Sequence, residues 1–312
     1  MSTQQFQGKV EMNDDLSVKG NTTLEGPLTR QQPKIIFDWN YVECSAPVFS
    51  TIGTSGDGVL ADGDQIAAIF PGKQGQSYHA TGVSVGAFTA AGKSPQIDGS
   101  LVTPDTAGTA AGLDVQMDRE TADNVGIQLI PGASPVGGPS ALTVGTHSGY
   151  LDVTFHTADY TDFDCIVVGY RKVEDFETGF NAIMAAGAAD DAVYTDVAAF
   201  GAMTDTDIRT QTDKNNSGTS VVTDVGAVPV DNQNMRLRIS VSAAGAVTYS
   251  HVNNAIAGAG TLAEPSGVAA FSFDSGDVIV PFIATLGAGT GTDQLSIKAI
   301  QVQKSPGGQY ND

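Results

Sequence analysis

Two acidic stretches carry the residue types and close spacing that a divalent cation needs. Asp62 and Asp64 lie in the first, and Asp205 and Asp207 lie in the second, just before Asp213. Carboxylate oxygens are the hard ligands that calcium prefers. Neither stretch has the ligand spacing of an EF-hand loop, and Asp-Gly pairs are also common turn formers. The four aspartates Asp62, Asp64, Asp205 and Asp207 are therefore candidate calcium ligands, with solvated turns as the alternative interpretation.

Paired carboxylates are also the chemistry of glycoside hydrolysis. The candidates lie close together in the middle of the chain: Asp152, Asp159, Asp162, Asp164, Glu174, Asp175 and Glu177. A chain with 35 acidic residues offers many such pairs by chance. Sugar sites also tend to supply aromatic platforms, whereas this chain has one tryptophan and 7% aromatic residues. The pattern therefore does not favour a glycosidase function.

Nucleophilic catalysis requires a base within hydrogen-bond reach of a serine or cysteine. The four histidines are His79, His147, His156 and His251, and none belongs to a Gly-x-Ser-x-Gly, His-Glu-x-x-His or Cys-His arrangement. They are predicted to be surface or packing residues. We therefore expect a protein without catalytic residues.

The two cysteines, Cys44 and Cys165, are too few for a disulfide framework or a four-ligand zinc site. Both are flanked by apolar or aromatic residues, which favours buried, reduced thiols. A single bridge between them is the alternative, and the sequence does not decide between the two.

Composition limits the partners of the chain. Its 312 residues suffice for one large domain or two small ones, and 15 basic against 35 acidic residues give a net charge of −20. Such a charge repels phosphate, so neither nucleic acid nor an anionic membrane is expected as a partner. No apolar run approaches the ~18 residues of a membrane span, and the amino terminus does not resemble a secretory signal. We expect synthesis in a cytoplasm.

Period-two alternation of apolar residues recurs along the chain and predicts an all-β protein. The clearest runs are Leu151 to Phe155 and Met235 to Val241, the latter followed by a turn at 243–245 and a returning strand at 247–249. Cys165 to Val168 is continuously apolar, as in a strand covered on both faces. Helical signal is limited to 180–186 and to a short turn within 190–200. Many short strands predict an antiparallel β-sandwich or barrel.

The first 33 residues differ from the rest of the chain. Apolar residues alternate between glycine-closed turns as an apolar stripe: Val10, Met12, Leu16, Val18 and Leu24. So small a ribbon does not bury its apolar face alone. Residues 1–33 are therefore predicted to be an assembly or attachment arm with a linker, and 34–312 the β-sandwich; an ordinary β-arm without an assembly role is the alternative.

Several segments carry a family resemblance. Residues 8–28 resemble small β-segments at the attachment ends of phage fibre and other virion proteins. The main body resembles the concanavalin A-like, or laminin-G-like, jelly rolls of structural proteins from tailed phages, many of them marine, through five segments: DFDCIVVGYRK (162–172), MRLRISVS (235–242), GAVTY (245–249), FSFDSGDVIVPF (271–282) and LSIKAIQV (295–302). The resemblance implies a virion surface protein with a jelly-roll body and no catalytic residues.

Two functions follow as hypotheses. The first is a non-enzymatic virion structural protein, a capsid decoration or head or tail fibre component. In this hypothesis the arm joins copies, as in a homotrimer, or binds the major capsid protein or another virion protein. The second is a receptor-binding, lectin-like module in which loops such as 86–112 or 203–219 contact a glycan on the host surface. In both, the protein is located on the particle surface, and calcium is the single cofactor considered.

Overall fold

A computed structural model describes the part of the chain that forms most of the sandwich. The described residues are 34–40, 48–52, 65–70, 81–88, 104–105, 112–115, 123–133, 137–157, 159–160, 163–174, 194–203, 208–215, 221–225, 230–253, 261–288 and 295–306. The chain divides into two units, Met1–Gln32 and Pro33–Asp312, and every described residue belongs to the second. The predicted arm and Cys44 lie outside the described residues.

Seventeen β-strands account for most of the described chain. They are β1 (Lys34–Asn40), β2 (Val48–Ile52), β3 (Gln65–Phe70), β4 (Thr81–Phe88), β5 (Pro104–Asp105), β6 (Gly112–Val115), β7 (Asp123–Pro131), β8 (Leu142–Thr143), β9 (His147–Thr157), β10 (Phe163–Lys172), β11 (Val197–Met203), β12 (Ile208–Asp213), β13 (Val221–Asp224), β14 (Gln233–Val241), β15 (Val247–Asn253), β16 (Val278–Ala288) and β17 (Leu295–Pro306). Within the described ranges there is no α-helix, and accordingly no helix that is long and apolar enough to cross a membrane.

The strands form two antiparallel sheets. The seven-stranded sheet has the order β15-β14-β9-β17-β6-β5, with β1 also paired to β17. The ten-stranded sheet has the order β13-β12-β11-β10-β16-β7-β4-β3-β2, with β8 also paired to β16. Strands that are neighbours in a sheet are often far apart in sequence, as in a jelly roll. The predicted all-β, antiparallel jelly-roll sandwich is confirmed.

The main core lies between the two sheets. The seven-stranded sheet contributes alternate residues of β9 and β14, such as Val153 and Leu237, both 0% exposed. The ten-stranded sheet contributes Val168 and Tyr170 from β10 and Phe200 from β11. Because successive side chains of a strand point to opposite faces, the residues between these core positions must lie on the outer faces of the sandwich.

The central strand β10 is buried on both faces. Cys165 and Val167, which alternate with the core residues, belong to a second apolar cluster on the outer side of the ten-stranded sheet, together with Val280 and Phe282 of β16. This arrangement explains why the run from Cys165 to Val168 is continuously apolar rather than alternating. The sequence-based prediction of a doubly covered strand is confirmed.

The β14–β15 hairpin also agrees with the sequence. Its strands pair from Met235 with Asn253 to Val241 with Val247. The turn between them contains Gly245 at φ +88°, where a Cβ atom would collide with the carbonyl oxygen of Phe273. Glycine is therefore required at this turn, both for its positive φ and for the close approach of the neighbouring backbone.

One secondary-structure prediction is wrong in part. A helical turn was expected within 190–200, but Val197–Met203 is strand β11, paired with β10 and β12. Ala198 and Phe200 face the main core, while Val197 and Ala199 face the second cluster. With apolar residues required on both faces, the segment lacks the alternation that would have identified it as a strand.

Candidate binding face

The outer face of the seven-stranded sheet presents a row of polar side chains. Across five adjacent strands the register places Asp38, Gln301, Asp152, Arg238 and Ser250 opposite one another. On β9 the neighbours of these positions, such as Leu151 and Val153, point into the core. The alternation that builds the core therefore also aligns these polar groups on the opposite face.

Asp152 is the centre of this face. Its Oδ1 accepts a hydrogen bond from Nε of Arg236 at 2.8 Å, and its Oδ2 accepts one from Nη2 of the same guanidinium at 2.8 Å. Oδ2 also accepts Nε of Arg238 at 2.7 Å, and Nη2 of Arg238 lies 2.5 Å from the same oxygen. The hydrogen bonds to Asp152 raise the pKa of Arg236 above its usual value. One carboxylate thus fixes two guanidinium groups.

Tyr150 extends the arrangement along β9. Its hydroxyl donates a hydrogen bond to Oε1 of Gln301 at 2.6 Å. The guanidinium carbon of Arg238 lies 4.3 Å from the centre of the Tyr150 ring, a cation–π contact. Burial is the main cause that raises the pKa of the Tyr150 hydroxyl. We call the set Tyr150, Asp152, Arg236, Arg238 and Gln301 the arginine patch.

The arginine patch is partly open to solvent, whereas the far end of the same face is closed. The side chains of Arg236 and Arg238 are 14% and 26% exposed. At the far end, His156 and Lys298 are 4% and 1% exposed. Burial, and then the charge of Lys298, lowers the pKa of His156. A ligand approaching this face therefore meets the arginine patch.

The arginine patch is a local excess of positive charge in an acidic protein. Two guanidinium groups, those of Arg236 and Arg238, share the single carboxylate of Asp152. The excess is one positive charge, in a chain whose net charge is −20. Chemically, the patch offers fixed N–H donors, a phenolic hydroxyl and an amide on one rigid sheet.

A second polar network joins residues at the ends of neighbouring strands of the ten-stranded sheet. Nζ of Lys172 lies 2.8 Å from Asp277 and 3.3 Å from Asp196, which is fully buried. The backbone N–H of Asn215 donates to the other oxygen of Asp196 at 2.9 Å. The ammonium group of Lys172 thus links two carboxylates from separate parts of the chain.

The predicted calcium ligands Asp62, Asp64, Asp205 and Asp207 lie outside the described residues. In the part of the chain that the structure does describe, no three His, Cys, Asp or Glu side chains are grouped to hold a metal ion. The calcium interpretation therefore stays a prediction about the two stretches named from the sequence.

Other predicted sites have mixed outcomes. The apolar stripe of the arm, Val10, Met12, Leu16, Val18 and Leu24, lies outside the described residues. The loop at 203–219, expected to contact glycan, contains strand β12. Thr210 to Asp213 on that strand are buried, so this part of the segment is not available to a ligand and the prediction is wrong there.

Two carboxylates considered for glycoside hydrolysis have structural partners. Asp152 binds two arginines on the seven-stranded sheet, as described above. Glu174 follows β10 of the other sheet, and its two oxygens accept the backbone N–H of Thr195 at 2.7 Å and its hydroxyl at 2.9 Å. The two carboxylates therefore do not form a pair.

One of the histidines described by the structure, His251, packs against an aromatic side chain. His251 of β15 contacts the ring of Phe200 edge-on, with 6.0 Å between ring centres, and Tyr249 contacts the same ring at 5.4 Å. Burial lowers the pKa of His251. The contact of His251 agrees with the packing role expected from the sequence, and His156 is buried.

Sequence reasoning missed the arginines of the patch. The alternation from Met235 to Val241 puts Arg236 and Arg238 at polar positions of the strand but indicates no role for them. The signal that could have identified them is two arginines at positions i and i+2, on one face of a strand, in a chain with just 15 basic residues. Their partner Asp152 lies 84 and 86 residues away in sequence.

Comparisons with known proteins find similarity to solved structures but not to any known sequence family. No family model matches the chain, and no curated protein matches it. Lectin II from Ulex europaeus superposes with a TM-score of 0.44 at 10% identity, covering 84% of this chain and 99% of the lectin. The metal-free lectin I-B4 from Griffonia simplicifolia gives 0.43 at 11%, covering 84% and 100%. The Bauhinia forficata lectin, solved with GalNAc, gives 0.42 at 12%, covering 87% and 99%.

Proposed function

We propose that this protein is a non-enzymatic, glycan-binding β-sandwich carried on the surface of a virion. The observation that carries the binding function is the arginine patch, a partly exposed set of polar groups on adjacent central strands. Sites built on strands hold their side chains more precisely than sites built on loops. The sandwich is then a rigid support, and the outer face of its seven-stranded sheet is the binding surface.

The groups of the patch suit saccharide hydroxyls. The Arg238 guanidinium supplies donors in a fixed plane, the hydroxyl of Tyr150 both donates and accepts, and the amide of Gln301 retains its Nε2 donors. Bonds already made inside the patch limit the movement of these side chains before any ligand arrives. Such preorganisation reduces the entropy lost on binding.

The same bonds support a binding role rather than a hydrolytic one. Both oxygens of Asp152 accept hydrogen bonds from guanidinium groups. A carboxylate held in this way is a poor proton donor and a poor nucleophile, since each role requires it to leave its arginine partners. Asp152 positions the arginines instead.

The virion location rests on sequence resemblance. It is supported by residues 8–28 and by the segments between 162 and 302 that resemble phage jelly rolls. The net charge of −20 suits a crowded particle surface, because like-charged bodies repel one another and keep particles dispersed. In this proposal the arm attaches the protein, as a homotrimer or through the major capsid protein, and the sandwich faces outward.

Glycan-array binding by the full-length protein tests the proposed function. We expect binding to a subset of surface glycans, and about a tenfold loss of affinity for Gln301→Ala, which corresponds to ~1.4 kcal/mol. Gln233→Ala, at the end of β14 on the same sheet, is the matched control and should bind like the wild type.

Other outcomes of these measurements would oppose the proposal. An array without any bound glycan would reject the glycan-binding function and leave a purely structural role. Turnover of a polysaccharide by the protein would reject the non-enzymatic assignment. The virion location has its own test, an image of the assembled particle in which this chain is located.

A further inference from the structure

The chemistry of the arginine patch indicates which class of saccharide it binds, an inference that rests on the proposed function. We infer that its ligand is an anionic saccharide, in which a carboxylate or a sulfate group binds the exposed guanidinium of Arg238. Three features of the patch support this inference: the contact between Arg238 and Tyr150, the unused donors of Arg238, and the balance of charge within the patch.

The first feature concerns stacking. A neutral sugar gains much of its affinity from its apolar C–H face, which packs on an aromatic ring in the same way as other apolar groups. In the patch, the guanidinium of Arg238 already lies against the ring of Tyr150 at 4.3 Å. A sugar that stacked on this side of the ring would have to displace the cation, so recognition by hydrogen bonds and charge is favoured over stacking.

The second feature is the donor set of Arg238. Asp152 binds Nε and Nη2 of this side chain. Nη1 makes no hydrogen bond to a described residue, and the side chain is 26% exposed. An arginine is charged at all relevant pH values, and its planar donors match the oxygens of a carboxylate or sulfate. The Nη1 group of Arg238 is therefore an oriented donor that can bind an incoming anion.

The third feature is the charge of the arginine patch itself. The patch contains two cations, Arg236 and Arg238, and one anion, Asp152. The charges of the patch therefore sum to one positive charge. In a protein that carries −20 overall, this local positive charge favours the approach of an anionic group.

Matched saccharide pairs test the inference directly. One pair is a uronate oligosaccharide and its carboxyl-reduced form; the other is a sulfated oligosaccharide and its desulfated form. We expect at least one charged member to bind about tenfold or more tightly than its neutral counterpart, since a charge-assisted hydrogen bond is stronger than one between neutral groups. The pair that shows the preference tells which anion the patch takes.

Two variants link the preference to Arg238. Arg238→Met should abolish the preference for the charged member, and Arg238→Lys should retain part of it because the charge stays while the planar donors are lost. Arg209→Met, on β12 of the other sheet, removes the same charge and should leave the preference intact. Thermal melting establishes that each variant is folded. If Arg238→Met fails to fold, Arg238→Lys and the wild-type pairs decide the question.

Failure of this inference is distinguishable from failure of the proposed function. If charged and neutral members bind equally and Gln301→Ala weakens both, the ligand is a neutral glycan and the anion inference is wrong while the binding function stands. If the preference for charge survives in Arg238→Met, the anion binds elsewhere and the inference is also wrong. If no saccharide binds at all, both proposals fail.

Discussion

Asp152 and Arg238 lie directly opposite each other on the neighbouring strands β9 and β14, and they form an ion pair on the outer face of the sheet. Arg236, two residues before Arg238, binds the same carboxylate in a bidentate manner. The pairing register therefore fixes three charged groups at once, because a shift by one residue would turn Arg238 toward the core. Packing of the core and placement of the patch depend on the same register.

Asp152→Asn should destabilise the protein, because it leaves two partly buried guanidinium groups without their carboxylate. We expect a loss of roughly 1–3 kcal/mol, after allowance for the solvent that reaches both arginines. For a domain of this size that corresponds to roughly 2–4 °C in Tm per kcal/mol. Glu264→Gln removes one negative charge at an exposed position and is the control. Equal melting temperatures for the two variants would show that the ion pairs add nothing to stability.

Lys172→Met should destabilise the protein more than Lys34→Met, although both remove one positive charge. Lys172 neutralises the fully buried Asp196 and also binds Asp277, whereas Lys34 is exposed. Loss of the ammonium leaves Asp196 with the N–H of Asn215 as its remaining described partner, at a cost of roughly 1–3 kcal/mol. Urea unfolding of both variants measures the difference. Coincident unfolding curves would contradict this account of the network.

Stability should fall as the pH decreases from about 7 to 5, partly through His156. Burial and the nearby Lys298 lower the pKa of this imidazole below its usual 6.5. Below pH 6.5 the unfolded chain binds a proton that the folded protein does not, so stability decreases until the pH passes the folded pKa. His156→Gln should flatten this dependence, as followed by urea unfolding at a series of pH values. An unchanged slope would mean that His156 does not contribute.

The sequence was a good guide where one residue pattern determines one structure. Alternation from Met235 to Val241 predicted both β14 and its buried face, and the following turn predicted the hairpin with β15. The pattern did not identify Val197–Phe200 as a strand, because a strand that is apolar on both faces shows no alternation of apolar and polar residues. Local patterns therefore predicted the sandwich but not all of its strands.

The candidate site was much harder to predict than the fold. Alternation placed Arg236 and Arg238 on a polar face, but it did not show which residues they would meet there. Their partner Asp152 comes from a strand 84 residues earlier, and Gln301 from one that follows much later. Contacts between strands depend on sheet order and register, and neither is encoded in the short stretch that carries the arginines.

Removal of calcium decides between the two interpretations of the acidic stretches. If Asp62 and Asp64, or Asp205 and Asp207, bind the ion in the folded state, millimolar EDTA should lower Tm by about 3–6 °C through ligand linkage. Excess calcium should then restore the original value. A melting curve that EDTA leaves unchanged would assign these aspartates to solvated turns.

Deletion of residues 1–30 should leave a folded sandwich that no longer assembles. The apolar stripe Val10, Met12, Leu16, Val18 and Leu24 is too small to fold alone. Burial of five such side chains at roughly 1.5–3 kcal/mol each supplies on the order of 10 kcal/mol before ordering costs. This is enough to hold copies together in a trimer or to attach one copy to another virion protein.

A double substitution tests whether assembly depends on the apolar stripe or only on the presence of the arm. Leu16→Asp with Val18→Asp should abolish assembly, because it places uncompensated charge in the apolar contact. Ser17→Asp with Thr23→Asp adds the same charge at positions that alternate with the stripe and should assemble normally. Light scattering measures the oligomeric state, and particle reconstitution measures occupancy. Full occupancy of the truncated protein would place the attachment surface on the sandwich, and unfolding on truncation would assign the stripe to the core of the sandwich itself.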